Sequence, residues 1–459
     1  MKRGFLNSSK AKKAIQTAYA DVEKPASSTN STKKPQGRVR ERVYVDERVV
    51  YLITPEGRPE QFLESASKHR TDYEFNELVC TTLPAIANDA TVPNNPDGWT
   101  ECLVTGGIKR LIYETPGFPK PLVRPQHVSY RIGESPGKGL GMFATRDLKM
   151  GELILSERPI IILPLMGRIP GIWADNLPRE SLLSVQTEHW KKTLQHSFRR
   201  LTPEKEAAFW NLMNAWPSSL DKMEGILRTN GFNTEGMEDK TEQDMMGMYR
   251  AVGEIISRIN HSCEPSVERR WDTASFSFQL RATRDIKAGE ECFIQYCDNM
   301  QPYATRKEHL DGYMFECTCP SCLDPASSDA RRALYAKGKV EVDEFMEWCT
   351  KRLDLPDDFI IKKCQEQLDL LDKDGLQCTS WYESHLMIAF FSYMALGDRE
   401  NARIWGRKLG TWRLAKDGPA GGEKYEKEET YGKEHPFWQM RLLAKVKAAR
   451  ARLAKRKKA

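Results

Sequence analysis

The sequence predicts an α+β protein: small β-sheets, a helical insert between them, and an α-helical C-terminal region. Three observations carry this. From His127 to Pro164 short apolar stretches (HVSYRI, GMFAT, GELILSERPIIILP) are separated by glycines, the texture of short strands and tight turns. Residues 175–228 switch to helical spacing, with Trp190, Leu194, Phe198, Leu201, Phe209 and Leu212 as inward positions. Strands return at Phe276–Leu280 and Glu291–Tyr296, and from Asp329 to Ala459 the pattern is helical again.

Taken in order, residues 1–40 are rich in Lys, Ser, Thr and Pro and are expected to be a disordered basic tail. Residues 41–126 form an N-terminal region of unassigned role. Within it Arg42–Ile53 alternates as a strand pair ending at Thr54-Pro55-Glu56-Gly57, and Thr82–Gly98 reads as loop. Short β-like runs follow at Thr100–Val104 and Arg110–Tyr113. In the insert, Thr202 is the expected N-cap of a helix with Pro203 at its first position. Trp381–Leu409 suits a helical hairpin around Ala395–Arg399, a single TPR-like unit or a helical lid over a substrate groove. One internal echo stands out: Ala144-Thr-Arg-Asp-Leu-Lys-Met-Gly-Glu152 resembles Ala282-Thr-Arg-Asp-Ile-Lys-Ala-Gly-Glu290. At nine residues it is a reused hairpin idiom rather than a domain repeat.

The chain has 459 residues, enough for two or three cores. The richest apolar run, Pro159–Met166, is eight residues long, far short of the ~18 a membrane helix needs. Met1–Ala20 has no apolar core of a secretory signal; its five Lys/Arg and no acid leave a mitochondrial presequence open. Net charge is +6, but residues 1–43 carry +8 and residues 441–459 carry +9, so the body between is at −11. Basic ends suit nuclear import, through Lys455-Arg-Lys-Lys458, or phosphate contact, while solvated tails are the plainer reading. Specific nucleic-acid binding is not expected.

Four motifs bear chemistry. Ser135-Pro-Gly-Lys-Gly-Leu-Gly-Met-Phe143 is a glycine-rich turn after a short strand and leads to no helix, so it is neither a Rossmann nor a P-loop element; an ordinary hairpin turn is the alternative. Arg258-Ile-Asn-His-Ser-Cys263 places Asn260 and His261 beside a cysteine. Nucleophilic attack by Cys263 is disfavoured, since neighbours in one extended segment are not expected to present Cys and His to each other; a buried, satisfied histidine is the alternative. Ala288-Gly-Glu-Glu-Cys-Phe-Ile-Gln-Tyr296 is a strand ending on a tyrosine, otherwise readable as core. Phe315-Glu-Cys317-Thr-Cys319-Pro-Ser-Cys322 offers three thiolates to one face of a tetrahedral zinc. The fourth ligand is expected from Cys263, with His309 or His261 as the lesser variant. The remaining cysteines are scattered, as in a reduced intracellular protein.

In this order the four motifs resemble a SET-domain protein-lysine methyltransferase over roughly residues 127 to 325. The long insert and the helical C-terminus resemble its SMYD-like branch. The resemblance implies a SET domain at 127–298 (helical insert about 165–250), a zinc-bound post-SET segment at 299–325, a TPR-like helical region at 326–437 and a basic helical tail at 438–459. It implies that Lys138, Gly139 and Leu140 wrap S-adenosylmethionine and that Asn260 and His261 hold its ends. Phe315 would stack near the adenine, with Asn230 close by. Tyr296 would be the catalytic tyrosine lining the lysine channel, and Cys263, Cys317, Cys319 and Cys322 the zinc ligands. It further implies a protein substrate with a target lysine, histone or non-histone; a monomer of the nucleus or cytoplasm with no membrane contact is the default expectation for the chain. The sequence departs from the family in three places. Ser266 stands where an asparagine is usual, no cysteine in 160–229 provides a MYND zinc module, and residues 41–126 match nothing. A catalytically inactive SET-fold interaction module is therefore the alternative reading.

Overall fold

The computed structural model describes residues 43–45, 48–50, 62–63, 71–73, 75, 78–84, 97–165, 190–191, 194–195, 197–216, 221–238 and 248–456, with backbone alone for 43–45, 48–50, 62–63 and 78. The expected disordered tail 1–40, the insert residues 166–189 and Lys457-Lys458 lie outside the described residues. No helix among the described residues is long and apolar enough to cross a membrane.

Helices and strands mix as expected, in three sheets. An eight-stranded sheet runs in the order Phe232–Asn233, Tyr249–Val252, Ile161–Pro164, Thr100–Thr105, Leu78–Leu83, Val43–Val45, Arg48–Val50, Phe62–Leu63. Val267–Asp272, Ser277–Ala282 and Leu153–Glu157 form a second sheet in that order. Glu291–Cys292, Gly139–Ala144 and Tyr130–Ser135 form a third, antiparallel throughout. The chain divides into two compact units: residues 1–124, 156–258 and 271–279, and residues 125–155, 259–270 and 280–459.

In the first unit, Thr100–Thr105 is buried along its whole length, and Glu101 within it is held at 2.7 Å by Arg200. The expected β-like run Arg110–Tyr113 is instead part of a helix, Gly106–Glu114. The Thr105 hydroxyl caps it by accepting the Ile108 N–H at 3.3 Å, and Ile108 and Ile112, four apart on one face, are fully buried. Gly107 is needed for packing, because a Cβ there would meet the Phe75 ring at 2.6 Å. In the insert Leu194, Phe198, Leu201, Phe209 and Leu212 are buried as expected and Trp190 is half-buried. Thr202 caps Pro203–Trp210 by accepting the Lys205 N–H. The Glu157 carboxylate accepts the N–H groups of Glu254, Ile255 and Ile256 at 2.5, 2.9 and 2.8 Å, pinning the turn that leads to Arg258.

In the second unit the two echo segments face each other. Leu148 and Ile286 exchange backbone hydrogen bonds at 2.8 and 3.0 Å. Lys149 donates to Asp285 at 2.6 Å and Lys287 donates to Asp147 at 2.9 Å. Each aspartate also accepts a main-chain N–H from the other segment, Met150 to Asp285 and Ala288 to Asp147. One idiom is thus used twice, each copy closing the other. The expected strand Glu291–Tyr296 is shorter: Glu291–Cys292 pairs in the sheet, while Ile294 makes a parallel bridge to His261. C-terminally, Ser380–Leu396 and Arg399–Asp417 form the expected hairpin, turned at Gly397 with φ +69°. Its core includes Ala389, Phe390, Trp405 and Leu409. Lys416, nearly fully buried, donates to Glu268 at 2.5 Å and to the Cys378 carbonyl at 3.0 Å, tying the strand after the Asn-His motif to the helical region.

Candidate functional site

The glycine-rich turn sets one wall. Gly137 and Gly139 have φ of +73° and +77°, a region side chains disfavour, and the Lys138 N–H closes the turn on the Ser135 carbonyl at 2.9 Å. The Lys138 ammonium lies 4.5 Å over the Phe293 ring, and Leu140 is exposed. Glu291 ties this turn to the Asn-His segment. Its Oε1 accepts the Asn260 amide at 2.8 Å, its Oε2 accepts the Ser135 hydroxyl at 2.8 Å, and Lys138 is 3.9 Å from Oε2. Asn260 also donates to the Leu140 carbonyl at 3.0 Å, so it laces the turn to the strand. Gly141 is small of necessity, since a Cβ there would come within 2.3 Å of Glu291 Oε1. In sequence Glu291 reads only as a residue at the strand entrance; the signal of its role lies in its contacts, all remote along the chain.

The Asn-His segment crosses the strand that carries the tyrosine. Ile294 N–H donates to the Asn260 carbonyl at 3.0 Å and Ser262 N–H donates to the Ile294 carbonyl at 3.2 Å. Ser266, the family departure, does the bracing itself: its Oγ accepts the Phe293 N–H at 3.1 Å, and its own N–H donates to the Phe293 carbonyl at 2.9 Å.

The His261 ring is engaged at both nitrogens. Nδ1 accepts the Tyr296 N–H at 2.9 Å, which leaves the ring proton on Nε2, 3.4 Å from Cys263 Sγ. His and Cys are therefore presented to each other after all, because residues two apart in an extended segment share a face. Tyr296 donates its hydroxyl proton to the Ile259 carbonyl at 3.0 Å. Around its ring stand Tyr313, His261 and Phe315, with centroids 4.9, 5.1 and 6.1 Å away. Met314, between the two aromatic residues, has φ +57°, a left-handed turn at a non-glycine residue.

Cys263, Cys317, Cys319 and Cys322 bring their sulfurs within 4.8 Å of one another, with Cys263 and Cys322 at 3.5 Å. Four sulfurs bound at ~2.3 Å in a tetrahedron stand just under 4 Å apart, so the set fits zinc. His309 belongs to neither metal-type cluster among the described residues. Crowding moves the protons: hydrogen bonds from Cys263 hold the Cys319 and Cys322 thiols below the ordinary thiol range. The Arg306 guanidinium, fully buried and facing the Cys263 and Cys322 sulfurs, balances negative charge there. Cys297 reads in sequence as one of the scattered cysteines, yet its sulfur lies within 4.8 Å of Cys263 Sγ and the His261 ring. The Cys263 thiol and the His261 ring bring its pKa down to about 5. Asn230 belongs to the first unit, where its amide donates to the Met213 and Ile226 carbonyls at 2.7 and 2.8 Å.

A family model described as the SET domain matches residues 139–297, the stretch that runs from Gly139 of the glycine turn through the Asn-His segment to Tyr296. Residues 139–297, about a third of the chain, are thus similar to the SET domain. Its relatives include the histone-lysine N-methyltransferase set5 of Schizosaccharomyces pombe, 26% identical over 194 residues, covering 42% of this chain and 50% of that one. The SET domain and MYND-type zinc finger protein 6 of the same yeast is 41% identical over 178 residues, 37% of this chain and 30% of that one. Human N-lysine methyltransferase SMYD2 is 25% identical over 316 residues, 58% of this chain and 70% of that one. The match thus spans about half the length of the set5 relative.

Proposed function

We propose that the chain is an S-adenosylmethionine-dependent protein-lysine N-methyltransferase acting on histone or non-histone proteins of the nucleus or cytoplasm. The observation that carries this reading is Tyr296, held by its main chain to His261 and by its hydroxyl to the Ile259 carbonyl, inside a ring of aromatic side chains. S-adenosylmethionine, when bound, supplies an activated methyl group on its sulfonium. Lys138, Gly139, Leu140, Asn260, His261 and Phe315 would hold it; Asn230, expected there from the family resemblance, lies in the first unit. With both His261 ring nitrogens engaged, its contribution to the cofactor is through the main chain.

An attacking lysine must lose its proton, which at pH 7 costs about 4.6 kcal/mol for a pKa near ~10.4. The aromatic wall of Tyr296, Tyr313 and Phe315 lowers that cost by desolvating the ammonium. Since the Tyr296 proton is committed to Ile259, its oxygen offers a lone pair. It can accept an N–H and orient the amine while leaving the nitrogen lone pair free to react. No strong base is needed, and Glu291 is occupied in holding Asn260 and Ser135. Cys263, Cys317, Cys319 and Cys322 are proposed to bind one structural zinc. The alternative of an inactive module loses its main support, because Ser266 supplies the brace that the missing asparagine would.

Calorimetric titration with S-adenosylmethionine, followed by transfer of labelled methyl to core histones and to a protein extract, tests the reading. One cofactor bound per chain and label recovered on lysine are expected. Binding with no label on any protein would return the chain to the inactive class.

A further inference from the structure

The C-terminal helix Met440–Arg456 carries seven Lys/Arg and no acid, and it is anchored through its N-terminal end. Arg441 is fully buried, stacked 4.3 Å over Trp348 and donating to Asp357 at 2.7 Å and to the Leu355 and Trp348 carbonyls. Lys445 adds a second bond to Asp357 at 2.5 Å. Along its outer face the helix presents Leu442, Val446 and Leu453 at 37%, 47% and 58% exposure. With Ala449, also exposed, they recur at spacings of four, three and four. At ~100° per residue these four lie within an arc of about 60°, the seam of a heptad pattern, and Leu443, 61% exposed, widens the apolar face to about 120°. Beside this seam is a groove of about 740 Å³ bounded by Leu353, Lys445, Ala448, Arg452 and Arg456. Among the described residues Lys447, Arg450, Arg452, Lys455 and Arg456 have no acidic partner.

We propose that this face is a docking site for an acidic amphipathic helix of another protein, whose apolar seam packs on Leu442, Val446, Ala449 and Leu453 while its carboxylates meet Lys445, Arg452 and Arg456. The proposal goes beyond lysine methylation and does not depend on it. The occupant follows from charge and shape. A second copy of the same helix would bring cation against cation. A bilayer surface would cover the apolar face but offers no side chains in heptad register to fill the groove beside it, and vesicles are the competing outcome of the test. A nucleic acid would neutralise the cations but leave the apolar seam in water. An acidic helix satisfies both features at once.

The test uses the full, zinc-loaded chain and fluorescence anisotropy with four probes. They are a synthetic acidic peptide with leucine at heptad positions, a scramble of the same composition, a short DNA duplex and phosphatidylserine vesicles. The heptad peptide should bind at least ~10-fold more tightly than the scramble, a difference of ~1.4 kcal/mol. L453D and V446D should each weaken it by about tenfold or more, and the pair R452E/R456E likewise. All these positions are exposed, and an unchanged circular dichroism spectrum confirms that the variants fold. Equal binding of heptad and scrambled peptides, no peptide binding at all, indifference to the seam variants, or tighter binding of DNA or vesicles each overturns the proposal.

Discussion

His261 stands between Cys263 and Tyr296: its Nδ1 accepts the Tyr296 N–H at 2.9 Å while its Nε2–H points at the Cys263 sulfur 3.4 Å away. The metal-type cluster and the proposed catalytic tyrosine are therefore two hydrogen bonds apart through one imidazole. Groups that orient a metal ligand commonly matter by ~10–100-fold to affinity or activity. Replacing His261 by Ala should lower turnover by about that range and speed loss of zinc to a chelator, whereas H261Q, which keeps a polar side chain, should recover part of both. A variant with normal turnover and normal zinc retention would show that the imidazole links nothing.

Metal analysis of the purified chain should find one zinc, bound by the four-sulfur set. C317S should reduce the metal content and lower the melting temperature. C297S should keep the stoichiometry at one, because Cys297 approaches Cys263 and His261 but is not part of the four-sulfur set. Mass spectrometry under native conditions reads all three chains, and loss of zinc from C297S would move that residue into the ligand set.

At the glycine turn, G141A forces a methyl against Glu291 Oε1. Overpacking of this kind costs about 1–3 kcal/mol. Since Glu291 holds both Asn260 and Ser135, cofactor affinity should fall along with stability. Calorimetry with S-adenosylmethionine measures the first and urea unfolding the second; unchanged values in both would mean the turn has slack.

Ser266 is expected to stabilise the crossing through its bond with Phe293. S266A leaves that main-chain N–H without its hydroxyl partner and should cost about 1 kcal/mol in urea unfolding, while S266T, which keeps the hydroxyl, should cost less.

The reciprocal pairs of the echo segments give a pH signature. Hydrogen bonds from Lys287 and Lys149 hold the Asp147 and Asp285 carboxyls below their usual value. For a depressed carboxyl the stabilisation is full above the unfolded value near ~3.9 and is lost as pH falls through the lower folded value. The double variant K149Q/K287Q should therefore narrow the stability gap between neutral and acid pH, and salt should weaken the wild-type effect because the pairs are exposed. Thermal unfolding from pH 7 down to pH 3 reads this directly.

Much of the site is legible in the sequence because its chemistry sits in contiguous motifs. Cys317, Cys319 and Cys322 crowd three metal-type thiols into six residues, and Asn260-His261 and Tyr296 each stand at a recognisable segment end. The parts that escape are non-local. Glu291 looks like an ordinary strand residue because its partners Ser135 and Asn260 are 156 and 31 positions away. Cys297 looks isolated because the crossing of Ile294 and His261, which brings it to Cys263, is a tertiary event. Arg110–Tyr113 passes for a strand because a short apolar-rich run after a glycine pair carries little helical period, while the Thr105 cap and the Phe75 contact that favour the helix Gly106–Glu114 emerge only in the fold.

The most direct test of the central claim is single-turnover transfer of labelled methyl from bound S-adenosylmethionine by wild type and Y296F, with cofactor affinity measured in parallel. The account predicts labelled lysine with wild type, a rate lower by roughly 10- to 100-fold in Y296F, about 1.4–2.7 kcal/mol in the barrier, and little change in cofactor binding. Equal rates in the two proteins would contradict it.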